Sequence, residues 1–212
     1  TAARRQLAAR FHARAVTLFQ QYADTQELAS LKQAALYAAW ACDLDPDSAA
    51  HWVMLGQIYL QQSDRNALEN ADYALSNAYR LAPDDRFVTL LLGETHLLQR
   101  RVYSARDYLL PLLVDADQAL AARLIPQLVS TYVLNGDVAQ GVNQVFAYFS
   151  EYPQNIPLAT VYTILLATEQ RVAPNTQLEA RLQQMNGWWR RQQQAPAALK
   201  EYMRQTYLEP QS

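Results

Sequence analysis

Three histidines, one cysteine and one isolated carboxylate are the residues of this chain best suited to chemistry. His12, His51 and His96 each stand alone on a helix or at a helix start. No His-Glu-x-x-His run and no Cys-His ligand spacing accompanies them, so no metal site is expected. Cys42 lies among Ala38, Ala41 and Leu44 with no cation nearby in sequence, which predicts a buried, inert thiol rather than a nucleophile. Being single, it forms no internal disulfide.

Most carboxylates fall at helix starts, where capping and the helix dipole account for them. Glu94, beside Gly93 in mid-helix, is the exception, and no second carboxylate is placed to share acid-base work with it. With no strands there is no strand to precede a glycine-rich phosphate loop. The chain therefore reads as non-enzymatic and without a cofactor. Local arginine clusters at Arg100, Arg101 and Arg106, and at Arg190 and Arg191, sit in a chain of net charge -2, so no nucleic-acid partner is expected.

The elements that position these residues are helical. Period-two alternation is absent, and Ala, Leu, Gln, Arg and Tyr recur at helical spacing. Asp24 with Glu27, Asp47 or Ser48, Asp84 or Asp85, Asp137, Asn155, and Thr176 with Glu179 read as helix N-caps. The longest apolar run, residues 161–167, is far short of the roughly 18 to 20 residues of a membrane span.

Proline punctuates the helices at intervals. Pro46, Pro83 and Pro153 each follow an apolar helical stretch, and the first two are 37 residues apart. Residues 52–59 read WVMLGQIY, with Trp52, Leu55, Gly56 and Tyr59 at helical spacing. Ala71, Leu75, Ala78 and Pro83 follow on the next helix. Small residues at Gly56 and Ala71 let two helices approach closely while Trp52 and Tyr59 fill adjacent holes. The pattern persists in weaker form: Leu92, Gly93 and His96 with Ala105 and Leu109, then Leu128, Val129 and Tyr132 with Gly141, Val145 and Pro153. Ala34, Ala38, Ala41 and Pro46 match a second helix upstream.

This pattern resembles the tetratricopeptide repeat, with one departure: a turn around residues 63–70 longer by about three residues. The resemblance implies an all-α fold, a right-handed superhelix (α-solenoid) of antiparallel helix pairs. One domain spans 1–212: an irregular pair over 1–46, repeats over 47–83, 84–118 and 119–154, a degenerate pair over 155–187, and capping helices over 188–212. The first helix, carrying Leu7, Phe11, Val16 and Leu18 with arginines on its other face, reads foremost as an N-terminal cap. A groove filler, an oligomer contact or a tether are its other readings.

Domains of this family typically bind partner segments in the groove lined by the first helix of each pair. By register, that groove is lined by Val53, Gln57 and Leu60; Leu90, Glu94 and Leu97; Ser130 and Val133, beside Pro126; and Ile164, beside Thr160 and Ala167. Val53, Gln57, Leu90 and Glu94 stand where some members carry a Lys, Asn and Arg clamp for chaperone tails, which argues against that ligand. A mostly apolar stripe suits an amphipathic helix or an extended apolar segment. The expected function is a protein-interaction scaffold binding a protein or peptide, with self-association as a further option. The alternative is a repeat module of a larger cell-envelope protein, in polymer export or cell-wall assembly, that spaces subunits or contacts polysaccharide.

Residues 187–194, GWWRRQQQ, pose a separate question. Asn186-Gly187 predicts a turn, with a short helix from Trp188 and a last helix from Ala195-Pro196 through Leu208. The other possibility is a helix running on through Gly187, with Trp189 extending the stripe of Leu178, Leu182 and Met185. Under either, one tryptophan packs against the neighbouring repeat, and Trp188, Trp189, Arg190 and Arg191 are a candidate second interface. Capping is the preferred role. Lysine is confined to Lys32 and Lys200 among many Arg and Gln, which suggests a GC-rich bacterial source. The absence of an initiating methionine leaves room for a removed export signal or anchor. An extracytoplasmic, periplasmic location is the expectation, with the cytoplasm as the alternative.

Overall fold

The computed structural model describes residues 1–64 and 66–192. These residues form helices and connections, with no strand among them. In chain order the helices are α1 (Ala2–Thr25), α2 (Leu28–Leu44), α3 (Ala49–Leu60), α4 (Ala67–Leu81), α5 (Arg86–Leu98), α6 (Val102–Leu112), α7 (Gln118–Asn135), α8 (Val138–Glu151), α9 (Ile156–Val172) and α10 (Thr176–Arg191). Two compact units divide the chain, Thr1–Tyr108 and Leu109–Ser212, with the division falling inside α6. No described helix is long and apolar enough to cross a membrane.

In the first unit α1 packs on α2 and α3, and α3 on α4 and α5. Packed neighbours joined by so short a connection as Gln26-Glu27 run antiparallel. Their core draws Leu18 from α1, Leu31, Ala38 and Cys42 from α2, Leu55 and Ile58 from α3, and Ala74 from α4. Burial, and then the neighbouring Asp43, push the Cys42 thiol up to about 12, so it stays protonated and unreactive at neutral pH.

Small residues set the spacing of α3 and α4. A methyl group built on Gly56 would lie 2.6 Å from Cγ of Leu75, which is itself fully buried. Ala71 and Ala78 are likewise fully buried. Trp52 and Tyr59 are half-buried, and the Trp52 indole donates to the Pro46 carbonyl at 2.8 Å, tying the start of α3 to its connection. Pro83 and Pro153 are exposed in the connections they punctuate.

The caps agree with the sequence in part. Asp85 accepts from the backbone of Phe87 and Val88, and Asn155 accepts from Leu158. Asn155 also donates to the carbonyls of Leu113 and Val114, so one side chain both starts α9 and anchors it. Ser48 and Asp137 stand at N-cap positions without a side-chain cap bond. Asp24 is not a cap, because α1 continues to Thr25 and closes on Gln26 in the left-handed region at φ 57°. Thr176 is not one either: Asn175, one residue earlier, accepts from Leu178 and takes the capping place.

In the second unit α7 packs on α8 and α9, and α9 on α8 and α10. Tyr132 is fully buried on α7, and Gly141 leaves room for its ring: a methyl there would meet Tyr132 Cδ1 at 2.7 Å. Every residue from Leu158 to Thr168 on α9 is buried. A helix covered on all sides needs its polar side chains satisfied locally. The hydroxyls of Thr160, Thr163 and Thr168 donate to carbonyls one turn back, those of Ile156, Ala159 and Ile164.

His12 and His51 join α1 to α3, their rings 4.9 Å apart, each with a buried Nδ1 that has no hydrogen-bond partner. Burial holds both imidazoles below their usual range; for His51 the facing His12 adds to this and Asp45 opposes it. A depressed folded value means that stability is complete above the unfolded value of about 6.5 and is lost as pH falls through the folded one. Denaturation of the chain at pH 7.5 and 5.5 should show the loss, and His51→Leu should flatten it. An unchanged slope in that variant would show that the pair does not carry it.

Candidate binding face

The first helices of successive pairs, α3 and α5, pack on each other in the first unit and leave one edge toward solvent. On α3 the buried edge is His51, Leu55, Gly56 and Ile58, and Val53, Gln57 and Leu60 are half-buried beside it. On α5 the buried edge includes Val88, Leu92, Gly93, Thr95 and His96. The opposite face carries Phe87, Leu91, Glu94 and Leu98, spaced four, three and four residues apart, which is one stripe of a helix. Phe87 is 49% and Leu98 60% exposed.

Of the predicted groove residues in this unit, Val53, Gln57, Leu60, Glu94 and Leu97 are half-buried, and Leu90 is buried at 9% exposure. Phe87 and Leu98 were missed. Their signal lay in the sequence as the 87-91-94-98 spacing, but the register took only three places per helix. Glu94 sets a carboxylate among these apolar side chains.

Behind the stripe a polar clamp holds α5. Asp72 on α4 meets His96 Nε2 at 3.1 Å and accepts from Arg101 at 2.7 Å, and the His96 ring lies against Tyr108 at 5.3 Å. Gln99 adds a bond to the Leu68 carbonyl. His96 is buried and so fills the packing place that the sequence pattern assigned to it. Ala105 is fully buried, while Arg106, also buried, stacks over the Tyr103 ring at 5.2 Å. Among the described residues no group of three or more His, Cys, Asp or Glu is placed to hold a metal.

In the second unit Ser130 and Val133 are exposed on α7, as is Pro126. Ile164 is different. At 4% exposure, with Thr160 and Ala167 fully buried, it is a core side chain and offers no surface to a partner, because α9 is enclosed rather than edge-on.

The tryptophan pair is also placed by packing. α10 continues through Gly187, so no turn separates 187 from 188. The Trp188 indole donates to the Pro153 carbonyl at 3.0 Å and its ring meets Phe149 edge-on at 5.7 Å. Trp189 donates to the Thr163 hydroxyl at 2.9 Å. These bonds hold the last turn of α10 against α9 and overcome the low helix propensity of glycine. Both indoles are half-buried and both N–H groups are satisfied inside the unit, leaving Arg190 and Arg191 exposed. The expected last helix, from Ala195 to Leu208, lies outside the described residues, as does all but the start of the 188–212 capping segment.

Within each unit, successive helices that pack on one another, first helices that touch from one pair to the next and, in the first unit, a glycine seated under a leucine define a tetratricopeptide-type helical repeat. Solved structures agree on that fold. The chain is similar to MamA at 12% identity, with a TM-score of 0.54 and 98% of each chain covered. It is also similar to YrrB, a tetratricopeptide-repeat protein with an unusual peptide-binding site, at 14% identity and a TM-score of 0.53, over 82% of this chain and 84% of that one. No family model matches the chain, and no curated protein does.

Proposed function

We propose that the chain is a non-enzymatic scaffold that holds a segment of a partner protein against the stripe formed by α3 and α5. The observation that carries this is the exposure of Phe87 and Leu98 on α5, with Glu94 between them and Val53, Gln57 and Leu60 alongside on α3. Large apolar side chains aligned on one face of a rigid helix suit the apolar edge of an amphipathic helix or an extended segment. A peptide-binding site in YrrB, a protein of the same fold, supports the reading. Ser130 and Val133 on α7 are a separate candidate contact in the second unit.

Photo-crosslinking probes at Gln57 and Leu98 are expected to capture one and the same partner, while probes at Ser76 and Arg80 on α4 do not. Burying a phenylalanine and a leucine contributes about 1.5 to 3 kcal/mol each. Phe87→Arg with Leu98→Arg should therefore reduce capture by at least tenfold with the far-ultraviolet circular dichroism unchanged. Capture from the α4 positions alone would sink the proposal.

A further inference from the structure

The first helix pair carries an apolar surface that the α3–α5 stripe does not include. Phe11 on α1 meets Tyr37 and Trp40 on α2 at ring distances of 5.7 and 5.4 Å, and Tyr37 and Trp40 meet edge-on at 5.4 Å. One turn from these rings lie Leu7 on α1 and Leu36 on α2. Leu7, Leu36 and Trp40 are all at least 40% exposed. A terminal repeat whose role was only to cap the stack would turn polar side chains outward here.

The rim of this surface is basic. Arg10 and Arg14 stand three residues beyond Leu7 and Phe11 on α1, and Lys32 stands four residues before Leu36 on α2. All three are exposed, and no described carboxylate pairs with them. Arg4 reaches the Asp43 carbonyl at the end of the strip, and Arg5 pairs with Asp45 at 3.7 Å. The first carboxylate of α1 is Asp24, almost at its end.

We propose that the α1–α2 face docks on an anionic lipid surface, with Leu7, Leu36 and Trp40 entering the headgroup boundary and Arg10, Arg14 and Lys32 meeting the lipid phosphates. Charge complementarity favours this occupant. A second copy laid face to face would oppose the same three cations to one another, whereas an anionic bilayer meets them all with opposite charge. An exposed indole and leucines on a face rimmed by basic side chains is also the composition of interfacial membrane contacts. Each basic residue near an anionic bilayer strengthens binding by about fivefold at low salt, and the attraction fades with ionic strength.

The test is flotation of the whole chain with vesicles of phosphatidylglycerol and phosphatidylcholine in equal parts, against vesicles of phosphatidylcholine alone. The chain is expected to bind the anionic vesicles and not the neutral ones, and binding should weaken by about tenfold or more between about 50 mM and 500 mM salt. Arg10→Glu with Arg14→Glu should reduce it by at least tenfold, and Trp40→Ser should reduce it with the charges intact. These side chains are exposed, and unchanged circular dichroism would confirm that the variants fold. Failure to bind, equal binding to both vesicles, or full binding by the charge-reversed variant would each overturn the proposal. So would a concentration-dependent dimer abolished by Trp40→Ser, because the occupant would then be a second copy.

Discussion

Gly56→Val is expected to destabilise the first unit by about 2 to 3 kcal/mol, read as a lower midpoint in urea with the slope of the transition unchanged. The cause is the approach of α3 to α4. Even one added carbon would stand 2.6 Å from Leu75 Cγ and 2.7 Å from its Cδ2, and Leu75 has no solvent into which to swing. Two helices must separate, or a buried leucine must leave its rotamer. Gly56→Ala should cost less, about 1 kcal/mol, because the gain in helix propensity offsets part of the clash. Gly187 is the internal comparison. Its added carbon would meet nothing closer than the Arg191 guanidinium at 3.8 Å, so Gly187→Ala should stabilise α10 by about 1 kcal/mol. Equal stability of Gly56→Val and the parent chain would show that close approach is not the reason for glycine at that place.

The second large effect is expected at Asp72. Its carboxylate serves buried His96 and half-exposed Arg101 together and also accepts from Ser76 at 3.3 Å. Asp72→Ala leaves His96 Nε2 buried and unpaired, in a ring whose Nδ1 already has no hydrogen-bond partner. An orphaned buried polar group costs about 1 to 3 kcal/mol, so a loss of about 2 kcal/mol is expected. Arg101 adds little, since it keeps a bond to Gln99 and stands half in water. Amide exchange should quicken at the end of α5 before the rest of the unit, since the clamp ties that end to α4. Asp72→Asn retains an acceptor and should recover part of the loss. If Asp72→Ala were as stable as the parent chain, the clamp would be a contact without energetic weight.

The helical pattern was legible because its causes are local. The period of Leu55, Ile58 and their neighbours, the prolines after α2, α4 and α8, and caps such as Asp85 and Asn155 act over a few residues and can be read without knowing what packs on them. A helix that buries one edge must show the other, and the repeat pattern says which edge is buried. On α5 the register read from that pattern took Leu90, which is buried, and missed Phe87 and Leu98, which are exposed. Errors came where two local signals competed. Asn175 and Thr176 are both good caps, and choosing between them depends on which backbone residue is extended. Asn186-Gly187 reads as a helix end by the left-handed preference of glycine, yet the helix goes on.

By itself, then, the sequence determined the helical character of the chain and the small residues at which α3 meets α4, since periodicity and side-chain volume are carried by residues near one another in the chain. Tertiary structure alone decided which faces stay open. Ile164 and Val133 are both apolar residues in register with a groove, but α9 is enclosed and α7 is not. Trp188 and Trp189 read as a cap with a second interface as the other option, and it is Pro153 and Thr163, 35 and 26 residues away, that supply acceptors for their indoles. Phe11 reads in the sequence as part of the apolar face of a capping first helix; the fold gathers its ring with those of Tyr37 and Trp40 at an open, basic-rimmed edge. Exposure is a property of what lies opposite a side chain, and in a stack of helices that neighbour comes from another turn of the chain.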